Sequence, residues 1–348
     1  MRTLLASLAI LLLFAGDLSA QRRRTDIKAG PWTKAKTPDG WVLHRTRNYQ
    51  IQSQCGAKKA KRLGSHMEVM NKVYRGMFRP GKDGAKQQVI KLFKDRSSYL
   101  KYGAPPSSAA YYSRGEREMV CYDTGKWSDE KKADGPTTGG KLSGAARRRM
   151  DRLSDMMKMD LLGCAAHEGW HQYFSWYTVS LTAPLPSWIN EGMGDYFYTA
   201  APKEVSGRKI PAQLGRLNDG RLMVLKAAVR RNRYIEVEKL ITMSKNEFYA
   251  NGSVCYAEGW AFCQFLLHSG NKKYAKIIPN FVKYVKNDSN YEDVRQRAFR
   301  GIDMEKLNSE FKAWIDTLKL AGPEEDDAED DAEDGGKDGG NDDSQGER

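Results

Sequence analysis

The sequence predicts an α+β protein: a small N-terminal α/β subdomain with a short mixed sheet and an edge hairpin, followed by a mostly helical subdomain. Three observations carry this. Short apolar runs alternate with helix-spaced segments between about residues 46 and 147. Two short runs, "AAYYS" and "EREMVCYD", flank Arg114-Gly115 and read as a tight hairpin from Ala109 to Asp123. From 148 to 320 the apolar residues instead recur every three or four positions, the period of helices packed on one another.

In chain order, the first segment combines Arg2, an apolar stretch from Leu4 to Ala15 interrupted only by Ser7, and small residues at Ser19-Ala20. These are the proportions of a signal peptide spanning residues 1–20, and the stretch is too short to cross a membrane. An uncleaved anchor is the alternative. No later segment reaches 18 apolar residues, so the mature body is expected to be exported and soluble, in the periplasm, the cell envelope or outside the cell. Residues 21–45, rich in Arg, Lys, Pro and Gly, read as a flexible basic leader. "NYQIQSQ" alternates like a strand, and Ala57 to Phe78 carries helical spacing through Leu63, Met67, Met70, Val73 and Tyr74. "QQVIKLF" is a further strand, and Asp95 can cap the helix "RSSYLKYG". The stretch from Thr124 to Ser143 reads as a long loop or lid.

In the helical half, "RLSDMMKMDLLGCAAHEGWHQYFSWY" places Leu153, Met157, Leu161, Cys164, His167, His171 and Phe174 on one recurrent face. Pro184 and Pro186 close the following loop, and Ser187 can cap the helix "SWINEGMGDYFYT". Further helices are expected at Leu222 to Val229, Val254 to His268, "KKYAKIIPNFVKYV" and "MEKLNSEFKAWIDTLK". Residues 321–348, acidic and glycine-rich after Gly322-Pro323, form a tail with nothing apolar to bury, which is expected to be disordered.

Charge is divided unequally. From Glu324 to Arg348 there are 13 acidic and 2 basic residues, net −11, so a whole-chain formal charge of +13 puts +24 on residues 1–323. Such a body is drawn to anionic surfaces, including an envelope polymer, while export argues against a specific nucleic-acid partner. Five cysteines, Cys55, Cys121, Cys164, Cys255 and Cys263, are too few and too scattered for a disulfide scaffold, and their pairing is left open.

The chemistry concentrates in "HEGWH". Residues four apart share a helical face, so His167 and His171 can present both imidazoles to one cation. Glu168 is turned about 100° from His167, near enough to reach a water on that cation without ligating it. Catalytic Zn2+ takes three protein ligands and keeps a fourth position open, and Glu191 on the next helix is the third candidate. Asp195, one turn beyond Glu191, suits the acceptor that a metal-bound imidazole needs for its other N–H. Gly192 and Gly194 would let the two helices approach closely. Two rivals remain open: ordinary buried histidines, and a closed structural site that adds Cys164.

"HEGWH" followed by "NEGMGD" resembles the gluzincin metallopeptidases, the thermolysin-like group of clan MA, with its HExxH pattern. "LPSWINEGMGDYF" and "CYAEGWAFCQFLL" more closely resemble an exported bacterial family of peptidase MA-like proteins, and "VIKLFKDRSSYLKY" and "AAYYSRGEREMVCYD" extend the likeness from about Tyr49 to Val285. The resemblance implies a zincin-like fold whose edge strand pairs with an extended peptide or protein substrate. It also implies zinc ligands His167, His171 and Glu191, with Glu168 as general base and Asp195 outside the ligand shell. The chain departs from the thermolysin-like enzymes in lacking a matching oxyanion histidine, since His268 reads as core. Related aminopeptidases use a tyrosine there, which makes Tyr256 the candidate, with Tyr249 behind it. The expected function is that of an exported zinc metallopeptidase, with a catalytically inactive zincin-fold binding protein as the alternative.

Overall fold

The computed structural model describes residues 26–80, 87–127, 159–175, 185–205, 208–288 and 290–320. The signal peptide, most of the 124–143 loop, Leu153 and Met157, and the acidic tail lie outside the described residues. The N-terminal subdomain is a five-stranded mixed sheet in the order β1-β2-β3-β5-β4. Its strands are β1 (Val42–Arg45), β2 (Tyr49–Ser53), β3 (Gln88–Phe93), β4 (Ala110–Ser113) and β5 (Glu118–Tyr122). Strands β2, β3 and β5 run parallel, while β1 and β4 pair antiparallel at the two edges. Every residue of β3 is buried, as expected of a parallel strand covered on both faces. Helix α1 (Gly56–Met77) joins β2 to β3, and α2 (Arg96–Lys101) is capped by Asp95, which accepts from the Ser98 N–H.

The inner face of the sheet meets α1 and α3 (Leu161–Tyr173) through Ile51, Leu63, Met67, Ile90, Met119 and Cys121. The outer face holds a finding the composition did not suggest. Residues 26–45 are not a loose leader. Trp32 is 5% exposed and Trp41 7%, and they pack edge-on to each other with Trp41 also against Phe93. Lys and Arg content hid two aromatic anchors and the strand β1.

The helical half is layered. Helix α4 (Ser187–Ala200) lies between α3 and α8 (Gly252–His268). Contacts between α3 and α4 run in opposite chain order: Gly163 meets Tyr198, His167 meets Asp195, and Trp170 donates to the Asn190 carbonyl at 3.2 Å. The two helices are therefore antiparallel. Around them pack α5 (Asp219–Arg230), α6 (Val237–Thr242), α7 (Lys245–Ala250), α9 (Ile277–Val285), α10 (Tyr291–Ala298) and α11 (Met304–Thr317). A small hairpin, β6 (Lys203–Val205) and β7 (Arg208–Ile210), follows α4. No helix among the described residues is long and apolar enough to cross a membrane.

Two sequence expectations change in detail. Helix α3 begins at Leu161, where Asp160 accepts from the Leu162 and Gly163 N–H groups, and all thirteen of its residues are buried. It is a central helix enclosed on every side rather than an amphipathic one with a single inward face. Ser187 is the first helical residue of α4, and Pro186 occupies the cap position without a side-chain bond. Proline suits that boundary because it lacks the N–H that a helix start leaves unsatisfied.

Candidate metal centre

Helices α3 and α4 bring His167, His171 and Glu191 together, with one ligand atom from each lying within 4.8 Å of the others. His167 Nε2 is 3.3 Å from Glu191 Oε2, and His171 Nε2 is 3.6 Å from the same oxygen. Ligand atoms held tetrahedrally about 2.0–2.1 Å from zinc sit roughly 3.4 Å apart, so these separations suit a zinc ion.

The hydrogen bonds behind the rings set their tautomers. His167 Nδ1 faces Asp195 Oδ1 at 3.2 Å, and His171 Nδ1 faces Asn190 Oδ1 at 3.2 Å. Asn190 donates through Nδ2 to Glu191 Oε1 at 3.0 Å, which fixes its amide so that Oδ1 is the acceptor toward His171. Each Nδ1 therefore carries a proton, and each Nε2 of a neutral ring turns a lone pair toward Glu191. A lone pair against a carboxylate is stable only with a cation between them or a second proton on the ring. His171 Nε2 is buried without a hydrogen-bond partner. This donor set fits zinc.

The field of the cluster agrees. Burial disfavours a charged His167, but its bonds to Asp195 and Glu191, with the charges of Asp195 and Glu168, outweigh that and raise its pKa to about 10. The pull that retains a proton there is the pull a divalent cation would meet. Burial opposes ionisation of Glu191 too, yet His171 and His167 hold its carboxyl well below the usual range. Asp195 is likewise lowered against burial, chiefly by Arg221.

Glu168 differs from its neighbours. It is 3% exposed, and burial raises its pKa, with Glu191 adding and the two imidazoles opposing. One of its oxygens, Oε2, is buried without a hydrogen-bond partner. The Tyr112 backbone N–H on β4 bonds to its carboxylate. In the β4–β5 hairpin the Tyr122 N–H donates to the Ala109 carbonyl, so by antiparallel alternation the backbone groups of Ala110 and Tyr112 point away from β5. The edge strand thus meets the centre directly at Glu168.

Glycine makes room at two contacts. A Cβ on Gly194 would lie 2.6 Å from the His167 ring, so only glycine lets α4 pass this close to the imidazole. Gly192 serves a different neighbour than the sequence suggested. Its Cβ would strike the Gly259 carbonyl of α8 at 2.4 Å.

The two tyrosine candidates occupy distinct places. Tyr249 donates from its hydroxyl to Glu191 Oε1 at 2.7 Å. Tyr256 packs beside it, ring centroids 6.1 Å apart, under the Arg221 guanidinium. Burial and Glu191 push both phenols above their ordinary pKa. His268 is elsewhere, stacked on Tyr196 and bonded to its hydroxyl at 2.8 Å. Cys164 belongs to the core under the sheet and is no part of the ligand cluster, which removes the closed Cys-containing site. All five cysteines are free.

Sequence reasoning missed Asn190 and Arg221. Asn190 sits beside Glu191 in "INEGMG" and could have been found by asking which residue serves the second imidazole. Arg221 lies 26 residues beyond Asp195 in "NDGRLMVL", with no spacing that announces it.

The family described as "Protein of unknown function (DUF1570)" matches residues 162–285, a span that holds the triad, Asp195, Arg221 and both tyrosines. No protein of curated function matches the chain. The His-Glu-x-x-His pair and the distant Glu191 form a His-His-Glu metal-binding triad of the gluzincin type, set in a zincin-like α+β architecture.

Proposed function

We propose that the protein is an exported zinc-dependent metallopeptidase that hydrolyses peptide bonds. The observation that carries this reading is Glu168: a buried carboxylate of raised pKa, with one unpartnered oxygen, next to three metal-ligating side chains. A purely structural metal site has no use for such a group. Zinc held by His167, His171 and Glu191 would supply Lewis acidity to a substrate carbonyl and to the attacking water. Glu168 takes the water's proton as general base and returns it to the leaving amine. Its burial matches that role, because a carboxylate lifted toward neutrality accepts a proton more readily than an exposed one.

An extended substrate lies along β4, using the outward backbone groups of Ala110 and the Tyr112 carbonyl. Arg114 and Arg117 at the hairpin turn are then carboxylate anchors. Tyr256 is the candidate for oxyanion stabilisation. Tyr249 competes for the role, since its hydroxyl is already aimed at the ligand Glu191. Export rests on residues 1–20, and the basic body suits an anionic envelope polymer as a second partner.

The test is a zinc-loaded Glu168→Gln variant assayed on a broad peptide library. Retained zinc with lost turnover supports the mechanism, and cleavage at the wild-type rate ends it. A wild-type protein that holds one zinc and cleaves nothing is instead a zincin-fold binding protein.

A further inference from the structure

The contacts around the triad do not stop at Asp195. Asp195 is 2% exposed and is shared by two partners from different helices, His167 on α3 and Arg221 in the first turn of α5. Arg221 grips it as a fork, with Nε to Oδ2 at 2.6 Å and Nη2 to Oδ1 at 3.3 Å. The oxygen that faces His167 Nδ1 is therefore also held by the guanidinium. Asn218 caps α5 by accepting from the Arg221 N–H, which fixes where the side chain starts. The guanidinium carbon lies 4.8 Å from the centre of the Tyr256 ring, within cation–π range. Tyr256 packs on Tyr249, and Tyr249 donates to Glu191. A route that leaves one ligand, His167, through Asp195 thus returns through Arg221 and two tyrosines to another ligand, Glu191.

We propose that Arg221 is a positioning residue of the metal centre, which holds the Asp195 carboxylate in the one rotation that fixes His167 and braces the tyrosines behind Glu191. This rests on the metal-site reading above. A carboxylate bonded only to an imidazole N–H can rotate about its Cβ–Cγ bond, and the ring follows it. A fork on both oxygens removes that freedom. Lysine cannot reproduce this, because a single ammonium meets one oxygen and does not lie flat on an aromatic face. Asp195 would also be left as a buried charge answered by one ring alone.

The test uses the full chain with Arg221→Met, Arg221→Lys, Asp195→Asn and the Met/Asn double variant. Zinc affinity is read by chelator competition, the ligand-field spectrum of the cobalt(II) form is recorded, and melting of the chelator-stripped proteins is followed. Groups behind metal ligands typically control about 10–100-fold in affinity. Arg221→Met is expected to lose zinc affinity in that range and to shift the cobalt spectrum. Arg221→Lys should recover only part of the loss, and Arg221→Met should cost clearly less in the Asp195→Asn background than alone, since the contact they share is already gone and only the bracing of the tyrosines remains. A Met variant that binds zinc within twofold of wild type, or losses that add fully in the double variant, overturns the proposal. If the Met variant does not fold, Arg221→Lys decides: wild-type affinity and an unchanged spectrum in that variant sink it. Failure of the wild type itself to bind zinc is a separate result, which removes the metal-site reading and this inference with it.

Discussion

Two clusters of buried charge stand on opposite faces of the N-terminal sheet's neighbourhood, and their difference separates scaffold from site. On the outer face Lys91 and Glu118 are both fully buried and 2.7 Å apart. Glu118 also accepts from the Tyr102 hydroxyl and the Gly30 N–H, and Lys91 lies 5.0 Å from the Trp32 ring centre. One cation answers one anion there. Between α3 and α4, by contrast, Glu168, Glu191 and Asp195 crowd two imidazoles and Arg221, while Glu168 Oε2 and His171 Nε2 keep no hydrogen-bond partner. Buried polar groups are normally satisfied, because leaving one bare costs about 1–3 kcal/mol. The first cluster is internally answered, and the second leaves buried donor atoms open, as a cluster that takes up a metal ion must.

Breaking each cluster should therefore give opposite signatures. Glu168→Gln is expected to lower kcat/KM by about 10²–10⁴-fold, the range of a general base, with zinc content and melting temperature nearly unchanged. Lys91→Met should do the reverse, costing about 3–5 kcal/mol by leaving Glu118 charged and unanswered in the interior. Denaturant titration reads that loss, and the folded fraction should bind zinc as tightly as wild type. A Lys91→Met protein with wild-type stability but weakened zinc binding would erase the distinction between the two clusters.

That contrast also explains what the sequence could and could not tell. The triad was legible because helical periodicity converts "HEGWH" directly into two rings on one face, and "NEGMGD" supplies an acid and its follower one turn apart. Elements with strong local signals were legible too, such as the Asp95 cap and the hairpin, although its turn takes four residues, Arg114 to Arg117, rather than Arg114-Gly115, because Ser113 pairs with Glu118 and Arg117 takes the positive φ. Long-range partners were not. Nothing in the strand "QQVIKLF" marks Lys91 as buried, and only the fold brings Glu118, 27 residues away, to meet it. Arg221 was hidden likewise. Residues 26–45 misled because Lys and Arg dominated the reading, whereas Trp32 and Trp41 decide where the segment packs. Helices α6 and α7 are six residues each, too short for a periodic pattern to declare itself.

A finer probe is steric. Gly194→Ala places a methyl group 2.6 Å from the His167 ring, and the ring is confined by Asp195 and Glu191. Helix α4 or the imidazole must shift, so a loss of about 1–3 kcal/mol in stability is expected together with weaker zinc binding. Helix propensity alone favours alanine over glycine by about 1 kcal/mol, so a stabilised variant with intact zinc affinity would show that this close approach does not confine the ring.

A pH-dependent effect is expected at a buried carboxylate outside both clusters, which has neither a bonded cation nor metal-ligand neighbours. Glu258 on α8 is 0% exposed, accepts from the Ile235 N–H at 2.9 Å, and keeps Oε2 unpartnered. Burial raises its pKa from 4.5 to about 8, with Glu236 adding to the shift. A carboxyl raised in the folded state binds its proton more tightly there than in the unfolded chain. Below about pH 4.5 the group is protonated in both states and its contribution does not change with pH; from 4.5 to 8 the unfolded chain releases the proton while the folded one retains it, so the stability held at low pH is lost as pH rises across that window. Glu258→Gln, which keeps an acceptor for Ile235 and cannot ionise, should have nearly the wild-type melting temperature at pH 5 and a higher one at pH 8.5. Equal melting at both values would mean that the Glu258 carboxylate is answered by a cation when it ionises, as Glu191 is by His171 and His167.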